Sequence, residues 1–192
     1  MDYKKYIERA YDTACKHNFH IVEKPTAHWL MLVITEISEA VEADRKGKHA
    51  NVGMYEREVS TKQVPGHILE HKKFVFEQFV KDTVEDEFAD ICIQLFDLCG
   101  TLKYDFKCNI DALNIDALID YFTKRYANKS FTEKAFELCN LLTQYNTAAD
   151  TVEIALAFVQ CWAKSEGINL EWHIEQKMWY NKWRKPLHGK KY

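Results

Sequence analysis

His28-Trp29-Leu30-Met31-Leu32-Val33-Ile34-Thr35-Glu36-Ile37-Ser38-Glu39-Ala40 reads as a buried helix into which two carboxylates have been set. At roughly 100° per residue, Glu36 falls in the middle of an apolar stripe made by Trp29, Leu32, Val33, Ala40 and Ala43, with Glu39 at its edge. The arrangement recurs in Asp82-Thr83-Val84-Glu85-Asp86-Glu87-Phe88-Ala89-Asp90-Ile91. There Glu87 falls among Val80, Val84, Ile91 and Leu98, and Asp90 follows three residues later. Glu-x-x-Glu and Glu-x-x-Asp are each common on solvated helix faces, where they are only mildly repulsive. Their interior position sets these two apart, because burying an ionised carboxylate is very costly without compensation. A divalent cation is the natural compensation, and an oxygen-only ligand set is what Mg²⁺ or Mn²⁺ prefers. Glu36, Glu39, Glu87 and Asp90 are therefore the candidate metal ligands.

Outward from these two helices the whole chain reads as all-α. Its 192 residues suit one domain spanning 1–192, and six Gly and three Pro against 47% hydrophobic residues imply long helices with few tight turns. The apolar spacing predicts a helix over 3–18, a second opening at Pro25-Thr26 with Thr26 as N-cap and closing at Gly47, and a short one over 68–80. Between them, 47–66 reads as a long loop. Asp82 with Glu85, Ser130 with Glu133 and Asp150 with Glu153 look like capping-box starts. Further helices are expected over 111–127, 131–146, 150–165 and 169–184. The segment Asp90-Ile91-Cys92-Ile93-Gln94-Leu95-Phe96 is faintly echoed by Glu153-Ile154-Ala155-Leu156-Ala157-Phe158-Val159, the pattern a duplicated helix pair would leave.

A net charge of −3 gives no electrostatic pull towards nucleic acid, and no apolar run is long enough to span a membrane. Cys15, Cys92, Cys99, Cys108, Cys139 and Cys161 are scattered and mostly on apolar faces. They read as free thiols of a reducing compartment, hence a cytoplasmic protein without a signal peptide.

The second constellation closes the chain. Lys177, Asn181 and Arg184 stand at i, i+4 and i+7 and share one face of the last helix, with His173 and Tyr180 beside them. Alone, they read as a basic C-terminal turn complementing the helix dipole. Beside a carboxylate metal site they read as a phosphate clamp: a point charge, an amide and a planar fork. Trp29 reads first as core, and second as a platform for a nucleobase. Asp97 reads as a helix-surface polar group or an outer partner of the carboxylates. Cys15-x-His17-x-x-His20 lacks a fourth ligand for zinc. No Gly-rich phosphate loop, His-Asp dipeptide, Glu-x-x-His pair or Gly-x-Ser-x-Gly occurs, which sets aside several other hydrolase and di-iron centres.

These residues resemble a known family, the all-α nucleoside triphosphate pyrophosphohydrolases of the MazG-like group related to dimeric dUTPases. Its hallmark, Glu-Glu-x-x-Glu followed by Glu-x-x-Asp on the next core helix, is similar to Thr35-Glu36-Ile37-Ser38-Glu39 and Glu87-Phe88-Ala89-Asp90, with Thr35 in place of the first Glu. Lys177 to Arg184 resembles the family's Lys-x-x-x-Asn-x-x-Arg phosphate helix, and Gly189-Lys190-Lys191-Tyr192 the dimeric dUTPase tail. Relative to that pattern the chain carries insertions at about 47–80 and about 104–150. The resemblance implies a MazG-like helical bundle with inserted helices. It implies Mg²⁺-dependent conversion of a (deoxy)nucleoside triphosphate to monophosphate and pyrophosphate in nucleotide-pool house-cleaning. Glu36 would orient or deprotonate the attacking water, and Lys177 and Arg184 would stabilise phosphate charge. The assembly implied is a homodimer or homotetramer. The alternatives are a dimeric-type dUTPase with strict uracil selection, or a catalytically idle helical protein that binds nucleotides or a partner.

Overall fold

The structure, a computed structural model, describes residues 1–61, 67–103, 115–144, 148–189 and 191, with backbone only at 115–116, 118–119 and 148–150. Among these residues it is all-helical. The elements are α1 (Tyr3–Lys16), α2 (Thr26–Arg45), α3 (Val52–Thr61), α4 (Ile68–Phe79), α5 (Val84–Thr101), α6 (Ile115–Tyr126), α7 (Phe131–Thr143), α8 (Ala148–Ser165) and α9 (Leu170–Asn181), with a 3₁₀ turn at Pro186–Gly189. No helix of the described residues is long and apolar enough to cross a membrane.

Helix α5 is the axis of the fold. Its buried positions, among them Val84, Phe88, Ile91, Cys92, Leu95, Phe96 and Leu98, run round most of its circumference, the pattern of a helix enclosed by others. It packs against α1, α2, α8 and α9. Helices α6 and α7 pack on α8, and α7 also reaches α2, so the second half of the chain forms an outer layer over the α2–α5 pair. Phe88, Phe131, Phe158 and Trp162 form an edge-to-face aromatic chain at that junction. The two echoing segments lie on α5 and α8, each 18 residues long and in contact with the other.

Local chemistry explains the ends. Gly47, at φ 60°, stops α2, with its N–H on the Asp44 carbonyl and that of Lys48 on the Ala43 carbonyl. Ser130 and Glu133 form the expected capping box. Three expected caps are displaced. Pro25, not Thr26, holds the N-cap position of α2, and its side chain offers no hydrogen bond. Thr83, not Asp82, caps α5 by accepting from the Asp86 N–H, while Glu85 accepts from the Ala50 N–H and pairs with His49. Helix α8 starts at Ala148, ahead of Asp150.

The expected loop over 47–66 contains a helix, α3. Asn51 accepts from the Met54 N–H, and Tyr55 and Val59, one turn apart, turn inwards to a small second core with Val75, Phe76, Val80 and Tyr180. Two glycines and scattered charge obscured a stripe only two residues wide. Positions 62–66 lie outside the described residues, as do Cys108 and most of the stretch joining α5 to α6. Cys92, Cys99 and Cys161 are buried free thiols and Cys139 is half-buried, but Cys15 is exposed.

Helices α1 and α5 approach closely at Gly100, where an added Cβ would lie 2.5 Å from the Tyr11 Cβ. Gly100→Ala is expected to force the helices apart and cost about 1–3 kcal/mol. A thermal melt should show a loss of several degrees, and an unchanged melting temperature would mean that the contact relaxes freely.

Candidate functional site

One cleft of about 330 Å³ opens between α1, α2, α5 and α9. All eight residues singled out from the sequence line it: Trp29, Glu36, Glu39, Glu87, Asp90, Lys177, Asn181 and Arg184. Glu36 and Glu39 come from α2 and Glu87 from the first turn of α5, with one carboxylate oxygen of each within 4.8 Å of the others. Glu36 and Glu87 are buried, whereas Glu39 is exposed at the mouth.

Asp90 stands apart from that close set. Its Oδ2 lies 2.6 Å from Lys177 Nζ, and the same ammonium donates to Asp86 Oδ2 at 2.6 Å. Lys177 is 3% exposed and Asp86 1%, so both are withdrawn from bulk solvent, while Asp90 is half-buried at the cleft. Burial alone would lower the lysine's pKa, but the Asp86 and Asp90 carboxylates outweigh it and hold the ammonium far above its usual range. Burial pushes Asp86 up to about 6 against the pull of Lys177. Glu87 responds most strongly. Burial first, and then the charge of Asp90, push its carboxyl up to about 9, and its Oε2 is enclosed with no hydrogen-bond partner among the described residues. Asp82, Asp86 and Glu87 form a second group of oxygens within 4.8 Å, joined to the first through Glu87.

Asn181 is buried, while Arg184 is half-buried with one guanidinium N–H making a long 3.5 Å contact to Asn181 Oδ1. Among the described residues Arg184 forms no ion pair, so its fork is available at the cleft. Helix α9 is pinned on both flanks. Glu175 binds Arg9 and Lys5, Glu171 accepts from Tyr6, Tyr55 donates to Gln176, and Tyr180 donates to Glu77. His173 and Tyr180 do not line the cleft. Tyr180 stacks on Phe76, and His173 is buried beside Trp172, burial lowering its pKa to about 4.

Sequence reading missed several groups of the site. Asp86, which binds Lys177 without itself lining the cleft, was legible in principle, lying four residues before Asp90 on the same face. Thr13, Phe19 and His188 carry no local signal, because only packing brings α1, the turn after it and the C-terminal turn to the cleft. The Leu187 N–H donates to the His17 carbonyl, and the His188 ring meets the edges of His17 and Phe19. Asp97, expected on the surface, is buried. His20 Nε2 lies 2.8 Å from its Oδ1, and among the described residues Cys15, His17 and His20 form no group of ligand atoms close enough for zinc. Burial raises the Asp97 pKa and His20 opposes that rise.

No family model, curated protein or solved structure matches the chain.

Without metal, the site makes stability depend on pH. Folded Glu87 keeps a proton up to about 9 that the unfolded chain releases near the ordinary carboxylate value, so its contribution is full at low pH and lost as pH rises. Asp86 acts in the same sense but is spent by about 6, and the opposite effect of His173 ends near 6.5. Between about 6.5 and about 9, Glu87 dominates. The melting temperature of the chelator-treated protein should fall across that window, and Glu87→Gln should flatten the slope. A slope unaltered in the variant would place the titration elsewhere.

Proposed function

We propose that this protein is a Mg²⁺-dependent nucleoside triphosphate pyrophosphohydrolase releasing a nucleoside monophosphate and pyrophosphate. The observation that carries the reading is the convergence of both carboxylate pairs and the Lys-Asn-Arg face on one cleft. They lie far apart along the chain, and a surface role for either would not require them to meet.

The donor set fits a hard divalent cation. Glu36, Glu39 and Glu87 offer only oxygens, and the orphaned Glu87 Oε2 is a buried acceptor that a cation would satisfy. These residues would hold the ion, with Asp90 as a further ligand and Mn²⁺ as a competent substitute. Bound there, Mg²⁺ supplies neutralisation of triphosphate charge and acidification of water. Glu36, at the centre of the α2 stripe, orients the attacking water and takes its proton. Arg184 and Asn181 bind phosphate oxygens, the fork matching two at once. Lys177, fixed between Asp86 and Asp90, holds positive charge beside the leaving pyrophosphate. The substrate is a nucleoside triphosphate, and the assembly is a homo-oligomer of cytoplasmic house-cleaning type.

Attack at the α-phosphorus defines the products. In oxygen-18 water the label should enter the monophosphate, whereas label in pyrophosphate, or direct release of orthophosphate, would overturn this chemistry. Glu39→Gln should abolish turnover without loss of fold. Arg184→Lys keeps the charge but loses the fork, and kcat/KM should fall on the order of 10². Wild-type kcat/KM in that variant would reduce the helix to scaffold.

A further inference from the structure

The cleft has a second end. On α5, Asp90, Gln94 and Asp97 stand at i, i+4 and i+7, and all three line the cavity. Seven residues of helix rise about 10 Å. Helix α2 runs the opposite way, so that Glu36 is level with Glu87, while Trp29 is level with Asp97 through His20. The His20 ring lies 4.8 Å from that of Trp29. The far end is therefore about one nucleoside's length from the carboxylates. Its walls are of the kind that receive a flat ring: Ala10, Ala14, Phe19, Trp29 and Ile93.

Among these apolar walls stands one carboxylate. Asp97 is 5% exposed, and His20 engages only its Oδ1. An ionised carboxylate only accepts hydrogen bonds, so a ring seated against Asp97 must bring an N–H to it or leave it desolvated. An acceptor held on this wall matches the edge of a base that presents an exocyclic amino group. Uracil and thymine present an N–H flanked by carbonyl oxygens on both sides. Docking it on a carboxylate would press their lone pairs against the second oxygen.

We infer that Asp97, positioned by His20, is a specificity-determining residue that selects nucleotides whose base carries an exocyclic amino group over those of uracil and thymine. This rests on the nucleotide reading of the cleft, and its test is chosen to fail separately. Cytosine and uracil are the minimal pair. Wild-type kcat/KM with Mg²⁺ should favour dCTP over dUTP by about tenfold to a hundredfold, the effect of one charge-assisted hydrogen bond. Asp97→Asn, whose amide can donate to a carbonyl, should erase or invert that ratio. In parallel, dCMP and dUMP are titrated into the chelator-treated wild-type protein by calorimetry, which needs neither turnover nor a folded variant. Preferential dCMP binding with no hydrolysis of any dNTP would sustain the inference and overturn the pyrophosphohydrolase reading. Equal turnover of dCTP and dUTP, or a dCTP preference unchanged in Asp97→Asn, would overturn the inference and leave that reading standing. Absence of both binding and turnover would overturn both.

Discussion

The structure depends on how a helix bundle tolerates carboxylates inside it. Glu36, Asp86 and Glu87 are buried with Asp90 close by, and the one buried cation among them is Lys177. Asp86 and Asp90 share the one ammonium, which balances one of their two charges. A third is avoided by protonation, since burial and like charge hold Glu87 neutral up to about 9. Glu36 stays buried beside them, and only Glu39 is left near solvent. Breaking a buried ion pair strands a charge, so Lys177 is as much a structural requirement of α5 as a site residue. A fold that places these groups together sacrifices stability at the position where it gains chemistry.

The rest of the molecule holds that arrangement still. Helix α9 contributes Lys177 and Asn181, the turn after it Arg184, and both flanks of the helix are anchored by side chains from distant elements. Arg9, Lys5 and Tyr6 hold it from α1, and Tyr55 and Glu77 from the α3–α4 pair. The α3–α4 pair thus braces the back of the basic helix through its own small core. The α6–α8 layer covers the opposite side of α5 with aromatic packing, which lets α5 be apolar round most of its surface and still face the cleft with acids.

The cleft is graded along its length. Acidic oxygens and cations occupy one end, while flat apolar walls and a single positioned carboxylate occupy the other. Helix α5 supplies both ends from one face, so their separation is fixed by helical rise rather than by loop geometry.

How much of this the sequence determined varies with the range of the interaction. Helical class, the inward placement of Glu36 and Glu87, and the shared face of Lys177 and Asn181 follow from a period of 3.6 residues, a local property. Arg184 instead reaches the cleft from the turn beyond the helix, which ends at Asn181 and not at 184 as expected. The Gly47 stop and the Ser130–Glu133 box are likewise local, and both are present. Helix α3 escaped because its buried stripe is narrow and its stability comes from α4 and α9. The ion triad escaped because the spacing of Asp86, Asp90 and Lys177 is meaningful only once α9 lies on α5. Asp97 is the clearest case: on its own helix it is an ordinary polar residue, and only the return of the chain through His20 to Trp29 buries it. Periodicity determined which way each side chain points. Tertiary packing alone decided what it points at, since pairing across helices depends on distances that no local pattern encodes.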